Sequence, residues 1–210
     1  MKLVELTLTE YLATVASDAP APGGGSAAAL CGAQGAGLAA MVAKLTLGKK
    51  KYPDDQTLCA RAAVEAEALA QTLEAQVDCD TEAYNRIAAA FRLPKETDDE
   101  KAARQKAVAD ATLVAAEVPF DTLRMANEAL LLVSALVGHS NANCASDLGV
   151  AALNLVACAR GAWMNVMINV SGVADEARAL YLKKEGKRLL EACETLGDGA
   201  YTALLASIGG

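Results

Sequence analysis

Aromatic side chains and prolines are scarce in this chain of 210 residues. Aromatics make up 4% of the sequence and there are five prolines, although 53% of the residues are hydrophobic. A core with so few rings has to be built mainly from Ala, Leu and Val. Ala and Leu are strong helix formers, and so few prolines interrupt little. The composition therefore predicts an all-α fold.

Histidine occurs once, as His139, and no two of the six cysteines form a C-x-x-C pair. Because His and paired Cys are the usual ligands of zinc and transition metals, we expect no metal site. The chain shows no signal-peptide pattern, which favours a cytoplasmic protein with reduced cysteines buried as small residues. The cysteines are Cys31, Cys59, Cys79, Cys144, Cys158 and Cys193.

Positive charge is in deficit, with 19 Lys and Arg against 26 Asp and Glu, a net charge of −7 and a pI near 4.8. Since nucleic-acid affinity rests largely on phosphate neutralisation by Lys and Arg, we expect no nucleic-acid partner. Two apolar stretches, residues 26–43 and 148–170, raise the question of a membrane span. The first is mostly Ala and Gly, which insert poorly, and the second contains Asn and Arg side chains. We expect no membrane contact and two helices buried inside a bundle.

Capping and breaking signals predict about five to six helices, several of them very long. Joined by short loops, they are expected to form an antiparallel bundle, a single domain over residues 1–210. Small residues from Gly32 to Ala43 leave one side of the second helix narrow, so that a neighbour can approach closely. The predicted helices are a short one near 8–17 capped by Thr7 or Thr9, one from the N-cap Ser26 to about Thr46, one from about 55 to 92, one from a capping box at Thr97 with a kink at Pro119, one from the cap Ser146 to about Gly172, and one over 174–208 weakened at Gly186 and Gly197–Gly199.

Asp80 is a carboxylate in the middle of an apolar helix face. With about 100° per residue, five apolar residues of the same predicted helix lie within about 40° of it. An ionised carboxylate is costly to bury unless it is paired, so Asp80 is either satisfied by a helix cap or an arginine, or is a functional acid facing a cleft. The pattern does not choose between these readings. The five apolar residues are Leu69, Leu73, Tyr84, Ile87 and Phe91.

The predicted helix 146–172 carries a second polar pattern. Asp147 and Asn165 are 18 residues apart, about five turns, and Asn154 lies close to the line between them. The small residues Cys158 and Gly161 fall on or beside this line. The strip is either an ordinary solvated face, or a groove wall about 27 Å long that presents amides and a carboxylate to a polar ligand.

The sequence "GKKKY" places Lys49, Lys50, Lys51 and Tyr52 in one loop. A lysine triplet is commonly just a solvated surface loop. It acquires a function if it meets an anionic substrate, or if one lysine is desolvated and serves as a proton-transfer group.

Taken together and in order, these motifs resemble the formiminotransferase-cyclodeaminase C-terminal domain family. The resemblance covers about residues 3–207, and the combination of P-x-P-G-G-G-S, G-K-K-K-Y and N-x-N-x-x-S-D is specific. It rests on "PAPGGGSAAALCGAQGAGLAAMVAKLTLGKKKY", "DCDTEAYNRIAAAFRLPK", "EVP" and "NANCASDLGVAALNLVACARGAWMNVMIN".

The resemblance implies an all-α homodimer that acts on one-carbon adducts of tetrahydrofolate, with the folate as substrate and no cofactor. It implies proton transfer by Asp80 and by Lys50 or Lys49, and contact of Asp147 and Asn141 with the pterin or the cationic carbon. The glycine loop and Ser26 are expected to close over the ligand, and the lysine loop to suit the anionic glutamate tail. The implied substrate-binding residues are Gly23, Gly24, Gly25, Ser26, Lys51, Tyr52, Asn141, Asn143 and Asn165.

Three functions stay open at this point. A cyclohydrolase adds water to 5,10-methenyltetrahydrofolate and releases 10-formyltetrahydrofolate. A cyclodeaminase closes formimidoyltetrahydrofolate to the methenyl compound with loss of ammonia. A non-catalytic folate-binding or helical scaffold protein is the alternative of another class. The sequence shows no formiminotransferase half, which favours the cyclohydrolase.

Overall fold

The computed structural model describes residues 2–209, which form six α-helices and two short 3₁₀ segments and contain no β-strand. This confirms the predicted all-α bundle. Helix α5 lies between α2, α4 and α6, while α3 packs against α2 and α4. The helices are α1 Leu8–Val15, α2 Gly24–Lys44, α3 Gln56–Phe91, α4 Asp98–Leu136, α5 Ala145–Val170 and α6 Glu176–Gly209, and the 3₁₀ segments are Leu3–Glu5 and Ala142–Cys144.

Two of the four predicted helix caps are confirmed. Thr7 and Thr97 each accept a hydrogen bond from the backbone N–H three residues later, and a glutamate completes each capping box. The other two caps are wrong. Helix α2 begins after Gly23, so Ser26 is its third residue, and α5 follows directly from a 3₁₀ turn ending at Cys144, which leaves Ser146 inside the first helical turn.

Helices α2 and α5 run antiparallel and are in unusually close contact through small residues. A Cβ added to Gly32 would lie 2.7 Å from the Cys158 sulfur, and one added to Gly161 would lie 2.8 Å from the Ala28 Cβ. Such distances are too short for real side chains, so only glycine allows this separation. The predicted narrow side of α2 is confirmed, and α5 is the neighbour that uses it.

Helix α4 continues through Pro119 without a break. Proline has no N–H, so the carbonyl of residue 115 loses its ordinary intrahelical donor. In this structure the side-chain amide of Asn169 donates to the Ala115 carbonyl at 2.9 Å. A residue of α5 therefore replaces the missing hydrogen bond. Helix α6 is also continuous, and two of its predicted weak points are packing positions, since Gly186 lies against the Trp163 ring and Gly197 against Val156.

The two apolar stretches lie on helices long and apolar enough to cross a membrane by length and composition alone, Gly24–Lys44 and Ala142–Val170. A core helix of a soluble protein meets the same criterion. About half of each apolar window is buried within the bundle, 56% and 44% respectively. The absence of a membrane contact stays a prediction. All six cysteines are free thiols, and four of them are buried.

Candidate functional site

Asp80 of α3 caps the N-terminus of α2 from outside that helix. Its Oδ2 accepts the backbone N–H of Ser26 at 2.9 Å and lies 3.1 Å from the Ser26 hydroxyl. The first N–H groups of a helix have no intrahelical partner, and the helix dipole favours a negative charge there. The structural reading of Asp80, a carboxylate satisfied by a neighbouring helix terminus, is therefore what the geometry shows.

Ser26 was expected to close over the ligand together with the glycine loop, but the structure places it in the protein interior. It is fully buried, and its hydroxyl donates to the Val77 carbonyl at 2.8 Å while contacting Asp80 and the Thr81 hydroxyl. The Ser26 hydroxyl has a single proton, which it donates either to the Val77 carbonyl or to Asp80. A charged Asp80 accepts a hydrogen bond from this hydroxyl, whereas a protonated Asp80 can donate one to the hydroxyl oxygen. Ser26 holds the acid in position from the protein interior.

Gly25 is the residue that lets the Asp80 carboxylate sit so close to the start of α2. A Cβ built on Gly25 would overlap the carboxylate group. Gly23 has open space around it, and a Cβ on Gly24 would make ordinary contact with Asn165. Of the three glycines, Gly25 is therefore required for the position of Asp80, whereas Gly23 and Gly24 leave the backbone open to the cavity beside them.

Burial raises the pKa of the Asp80 carboxyl above its ordinary value, and the hydrogen bonds from the Ser26 side chain and backbone oppose this effect only in part. A carboxyl with a raised pKa holds a proton more readily than an exposed one, which suits a group that returns a proton to a leaving nitrogen. The functional reading of Asp80 thus stands beside the structural one.

A cavity of about 240 Å³ opens next to Asp80. Ligand pockets for whole drug-sized molecules usually measure about 300–1,000 Å³, so this cavity accommodates part of a larger ligand. It is lined by the glycine loop, α3, α4 and the last turns of α5. Its lining residues are Pro20, Ala21, Gly23, Gly24, Gly25, Asp80, Thr81, Ala83, Tyr84, Ile87, Ala115, Asn165, Ile168 and Asn169.

Several of these lining residues were missed by sequence reasoning. Tyr84 and Ile87 belong to the apolar face of α3 around Asp80, which the sequence analysis expected to be buried. Of the five apolar residues of that face only Leu73 is buried, whereas Tyr84 is 45% and Phe91 55% exposed. Asn169 lies one turn after Asn165, so the spacing of the two amides was the signal that could have placed both at the cavity.

Both amide residues hold their place through backbone carbonyls. The Asn165 side-chain N–H donates to the Gly161 carbonyl at 2.9 Å, which leaves its amide oxygen and its second N–H for a ligand. Asn169 donates to Asn165 as well as to Ala115, each at 2.9 Å, which uses both hydrogens of its amide nitrogen. Asn169 therefore fixes the wall of the cavity.

Replacing Asn169 with Ala should lower the free energy of unfolding by about 1–3 kcal/mol, because the Ala115 carbonyl is left without a donor. The cost should be smaller in a Pro119→Ala background, where residue 119 regains an N–H that can donate to Ala115. Urea unfolding of the four proteins of this double-mutant cycle measures the coupling. An equal cost of Asn169→Ala in both backgrounds would contradict this account.

The lysine loop and the loop before α5 form a second cluster. The backbone N–H of Asn141 donates to the Thr46 hydroxyl, and that of Ala142 donates to the Tyr52 hydroxyl, both at 2.9 Å. Asn141 is buried, and its side chain contacts Cys144 and the Asn143 N–H. Tyr52 and Asn141 thus hold the two loops together, a role that the sequence did not indicate.

The charged side chains of this cluster face outward. Lys49, Lys50, Lys51 and Asn143 are exposed, and Asp147 is half-buried in the first turn of α5. The exposure of the lysines does not support the predicted desolvated lysine and agrees with either a solvated surface loop or contact with an anion. His139 Nδ1 lies 2.9 Å from Asp55 Oδ1, and this polar contact stabilises the same end of the bundle. The sequence did not indicate this contact.

The predicted site residues therefore fall into two groups at opposite ends of one chain. Gly23–Gly25, Asp80 and Asn165 lie at the start of α2, whereas Lys49–Lys51 and Asp147 lie beyond its end. Helix α2 has 21 residues, a length of about 32 Å. One chain does not bring Asp80 and the lysine loop together.

The polar strip of α5 is not a continuous groove. Its central residues Cys158 and Gly161 pack against α2, and Cys158 is fully buried. Asp147 and Asn165, at the two ends, and Asn154 between them are each half-buried. Both predicted readings fail where Cys158 and Gly161 pack against α2, because helical periodicity identifies a shared face but not the helix that covers it.

Residues 7–188 match the family formiminotransferase-cyclodeaminase. The chain belongs to this family. Among related proteins, a methenyltetrahydrofolate cyclohydrolase of Methylorubrum extorquens is 38% identical over 202 residues, which are 96% of this chain and 97% of that protein. A formimidoyltransferase-cyclodeaminase of Gallus gallus is 32% identical over 97% of this chain, but the match covers only 37% of that longer protein.

A solved structure of a cyclodeaminase has the same fold. The crystal structure of a formiminotetrahydrofolate cyclodeaminase from Thermotoga maritima matches with a TM-score of 0.79 and 29% sequence identity. The match covers 98% of this chain and 96% of that chain. The family resemblance and the all-α fold expected from the sequence are both confirmed.

Proposed function

We propose that the protein is a methenyltetrahydrofolate cyclohydrolase, which hydrolyses 5,10-methenyltetrahydrofolate to 10-formyltetrahydrofolate. The observation that carries the proposal is the position of Asp80, a carboxyl with a raised pKa at the edge of a cavity beside a glycine loop. Near-full-length similarity to a protein named as such a cyclohydrolase supports the choice of reaction. The proposed reaction transfers no electrons, so we propose that it uses no cofactor.

Asp80 acts first as a base and then as an acid in this scheme. Water attacks the methenyl carbon between N5 and N10, and its proton passes to the Asp80 carboxylate. This gives a neutral tetrahedral adduct from the cationic substrate. Asp80 then returns the proton to N5 as the carbon–N5 bond breaks, while the hydroxyl proton leaves to solvent as the formyl carbonyl forms. The net products are 10-formyltetrahydrofolate and one proton.

The remaining groups bind and orient the substrate. The Asn165 amide oxygen and the backbone of Gly23 and Gly24 are suited to the polar edges of the pterin. The carboxylate of Asp80 also favours the cationic methenyl group before attack, because charges interact more strongly in a partly dry site. The exposed Lys49–Lys51 loop is suited to the anionic glutamate tail, and Asp147 and Asn143 lie at the same end of the bundle.

We further propose a homodimer in the cytoplasm. The acidic pI near 4.8 fits a soluble protein with a small anionic substrate and no nucleic acid. The dimer is supported by the number of large apolar side chains left on the surface of one chain, among them Met164 and Ile168 on α5, which are 72% and 74% exposed. A two-fold dimer is the commonest way to cover such a surface.

A spectrophotometric assay tests the function directly. The purified protein should accelerate the loss of methenyl absorbance in water well above the uncatalysed rate. Ammonia release from formimidoyltetrahydrofolate, with little effect on methenyl hydrolysis, would instead show the cyclodeaminase, which is favoured by the similarity to the Thermotoga maritima protein. Failure to bind a reduced folate or to change either reaction would show a non-catalytic helical scaffold.

A further inference from the structure

A second cavity lies between α2, α3 and the N-terminal segment, and we call it the N-terminal groove. Its volume is about 800 Å³, more than three times that of the Asp80 cavity. This volume is within the range of about 300–1,000 Å³ found for pockets that hold a whole small molecule. Among residues 2–209, none lines both cavities. The N-terminal groove is therefore separate from the proposed folate site.

The N-terminal groove is long, and most of its lining is apolar. Its lining on α2 runs from Leu30 to Leu45, about 22 Å of helix, and its lining on α3 runs from Glu67 to Val77. Gly37 has nothing within 4 Å of an added Cβ, so the space above it is open. This shape suits an elongated molecule. The apolar lining on α2 consists of Leu30, Ala33, Gly37, Ala40, Met41 and Leu45.

Tyr11 lines the N-terminal groove where the segment before α2 meets Val77. It is 7% exposed and packs with Ala29 and Val77 in a small apolar cluster. Its hydroxyl is buried and has no hydrogen-bond partner in the described chain, residues 2–209. Buried donors are rarely left without an acceptor, because the loss of water is then not compensated. The Tyr11 hydroxyl is thus a donor available to a ligand.

The charges around the groove select against an anion. Lys44 is paired with Glu67 at 2.7 Å, so its charge is already matched, and the exposed Glu74 adds a negative charge to the lining. Burial, with the neighbouring Cys31 and Asp80, raises the pKa of the Tyr11 hydroxyl, which therefore keeps its proton and remains a donor. A cationic group beside Tyr11 would leave this proton without an acceptor.

We infer that the N-terminal groove is a second ligand site, which takes a neutral, elongated and largely apolar molecule whose carbonyl oxygen accepts the Tyr11 hydroxyl proton. The volume fits a whole small molecule, the lining fits its apolar body, and the unpartnered hydroxyl fixes one end of it. The anionic glutamate tail of a folate does not fit this description. The site therefore goes beyond the proposed reaction and does not depend on it.

Competitive binding to the purified protein tests the role of Tyr11. The uncharged fluorescent probe N-phenyl-naphthylamine should brighten on binding to the groove, and methyl nonyl ketone should displace it. Tyr11→Phe should weaken the ketone by about 5-fold, the effect of one lost hydrogen bond, and should leave the affinity of the probe unchanged, because its amine is a poor acceptor. Equal ketone affinities of the two proteins, or no probe binding to the wild type, would overturn the inference.

A blocking substitution tests the location. Gly37→Phe places a ring in the open space of the groove and should abolish probe binding. Gly199→Phe, an exposed position on α6 where an added Cβ also has nothing within 4 Å, is the matched control and should bind the probe normally. Undiminished binding to Gly37→Phe would overturn the inference. So would a wild type that binds no probe and loses a subunit contact in Gly37→Phe by light scattering, since a second copy would then fill the groove.

Matched charged analogues test the class of ligand. Decanoate and decylammonium have chains like that of methyl nonyl ketone but carry opposite charges, and each should displace the probe at least about 5-fold less well than the ketone. Tighter binding of either ion than of the ketone would contradict the assignment of a neutral ligand.

Activity separates this site from the proposed function. Gly37→Phe should hydrolyse methenyltetrahydrofolate at the wild-type rate, because none of the residues of the Asp80 cavity lines the groove in the described chain. A protein that binds the ketone but has no hydrolase activity contradicts the proposed function and leaves the second site standing. An active enzyme that binds neither probe nor ketone contradicts the second site and leaves the function standing.

Discussion

Replacing Asp80 with Asn should lower kcat for methenyltetrahydrofolate hydrolysis by about 100-fold or more, which is the usual contribution of a positioned acid or base. The amide of Asn can still accept the Ser26 N–H, so the start of α2 keeps its cap. It cannot take a proton from water. Steady-state kinetics of the two proteins measures the loss, and Glu82→Gln, an exposed neutral substitution on the same helix, is the matched control.

The same substitution should not weaken the fold. Burial raises the pKa of Asp80, so the folded state favours the protonated carboxyl and loses stability as the pH rises through that pKa. Asn carries no charge at any pH. The Asn variant should therefore be as stable as the wild type or more stable at pH 7, and its advantage should shrink as the pH falls towards the ordinary carboxyl pKa of about 3.9. Urea unfolding at several pH values checks the sign.

A variant that is inactive because it is unfolded, or one that turns over at a nearly normal rate, would contradict this account. The first result would make Asp80 a structural cap only. The second would remove Asp80 from the proton-transfer scheme while leaving its cap in place. The account expects Asp80→Asn to lose activity while its free energy of unfolding stays the same or increases. This result would show that Asp80 is a functional acid whose burial destabilises the fold.

Replacing Gly35 with Val should destabilise the protein by about 3 kcal/mol or more, at the upper end of overpacking costs. A Cβ at this position would lie 2.7 Å from Leu155 Cγ and 2.9 Å from the Ala151 carbonyl oxygen. Backbone atoms of a central helix cannot move aside locally, so α2 and α5 would have to separate. Thermal and urea unfolding measure the loss.

Gly37→Val provides the control for this prediction. Gly37 is on the same helix, two residues further on, and has nothing within 4 Å of an added Cβ. Its substitution should change the free energy of unfolding by no more than about 0.5 kcal/mol, as expected for a surface change. Equal effects of Val at the two positions would show that helix propensity, and not the α2–α5 contact, sets the cost.

The helices could be predicted from local signals, because caps and breakers act within a few residues. Thr7 and Thr97 show this, since each makes its capping hydrogen bond to a residue three positions later. Ser26 and Ser146 are also good capping residues by type, yet neither is a cap. In both cases the preceding chain enters the helix earlier, through Gly23 and through the 3₁₀ turn 142–144.

The site itself depends on contacts between distant positions, which one sequence does not specify. The apolar surroundings identified Asp80 as unusual, but its partner Ser26 is 54 residues away and its close approach depends on Gly25. The α5 periodicity correctly put Asp147 and Asn165 on one face. It could not show that α2 covers the middle of that face, nor that one helix length separates the glycine loop from the lysine loop.

A crystal structure with bound 10-formyltetrahydrofolate tests the central claim most directly. The account predicts the pterin in the Asp80 cavity, with the one-carbon unit within about 3 Å of an Asp80 oxygen, directly or through one water. A folate bound away from Asp80, with the 240 Å³ cavity empty, would contradict the account.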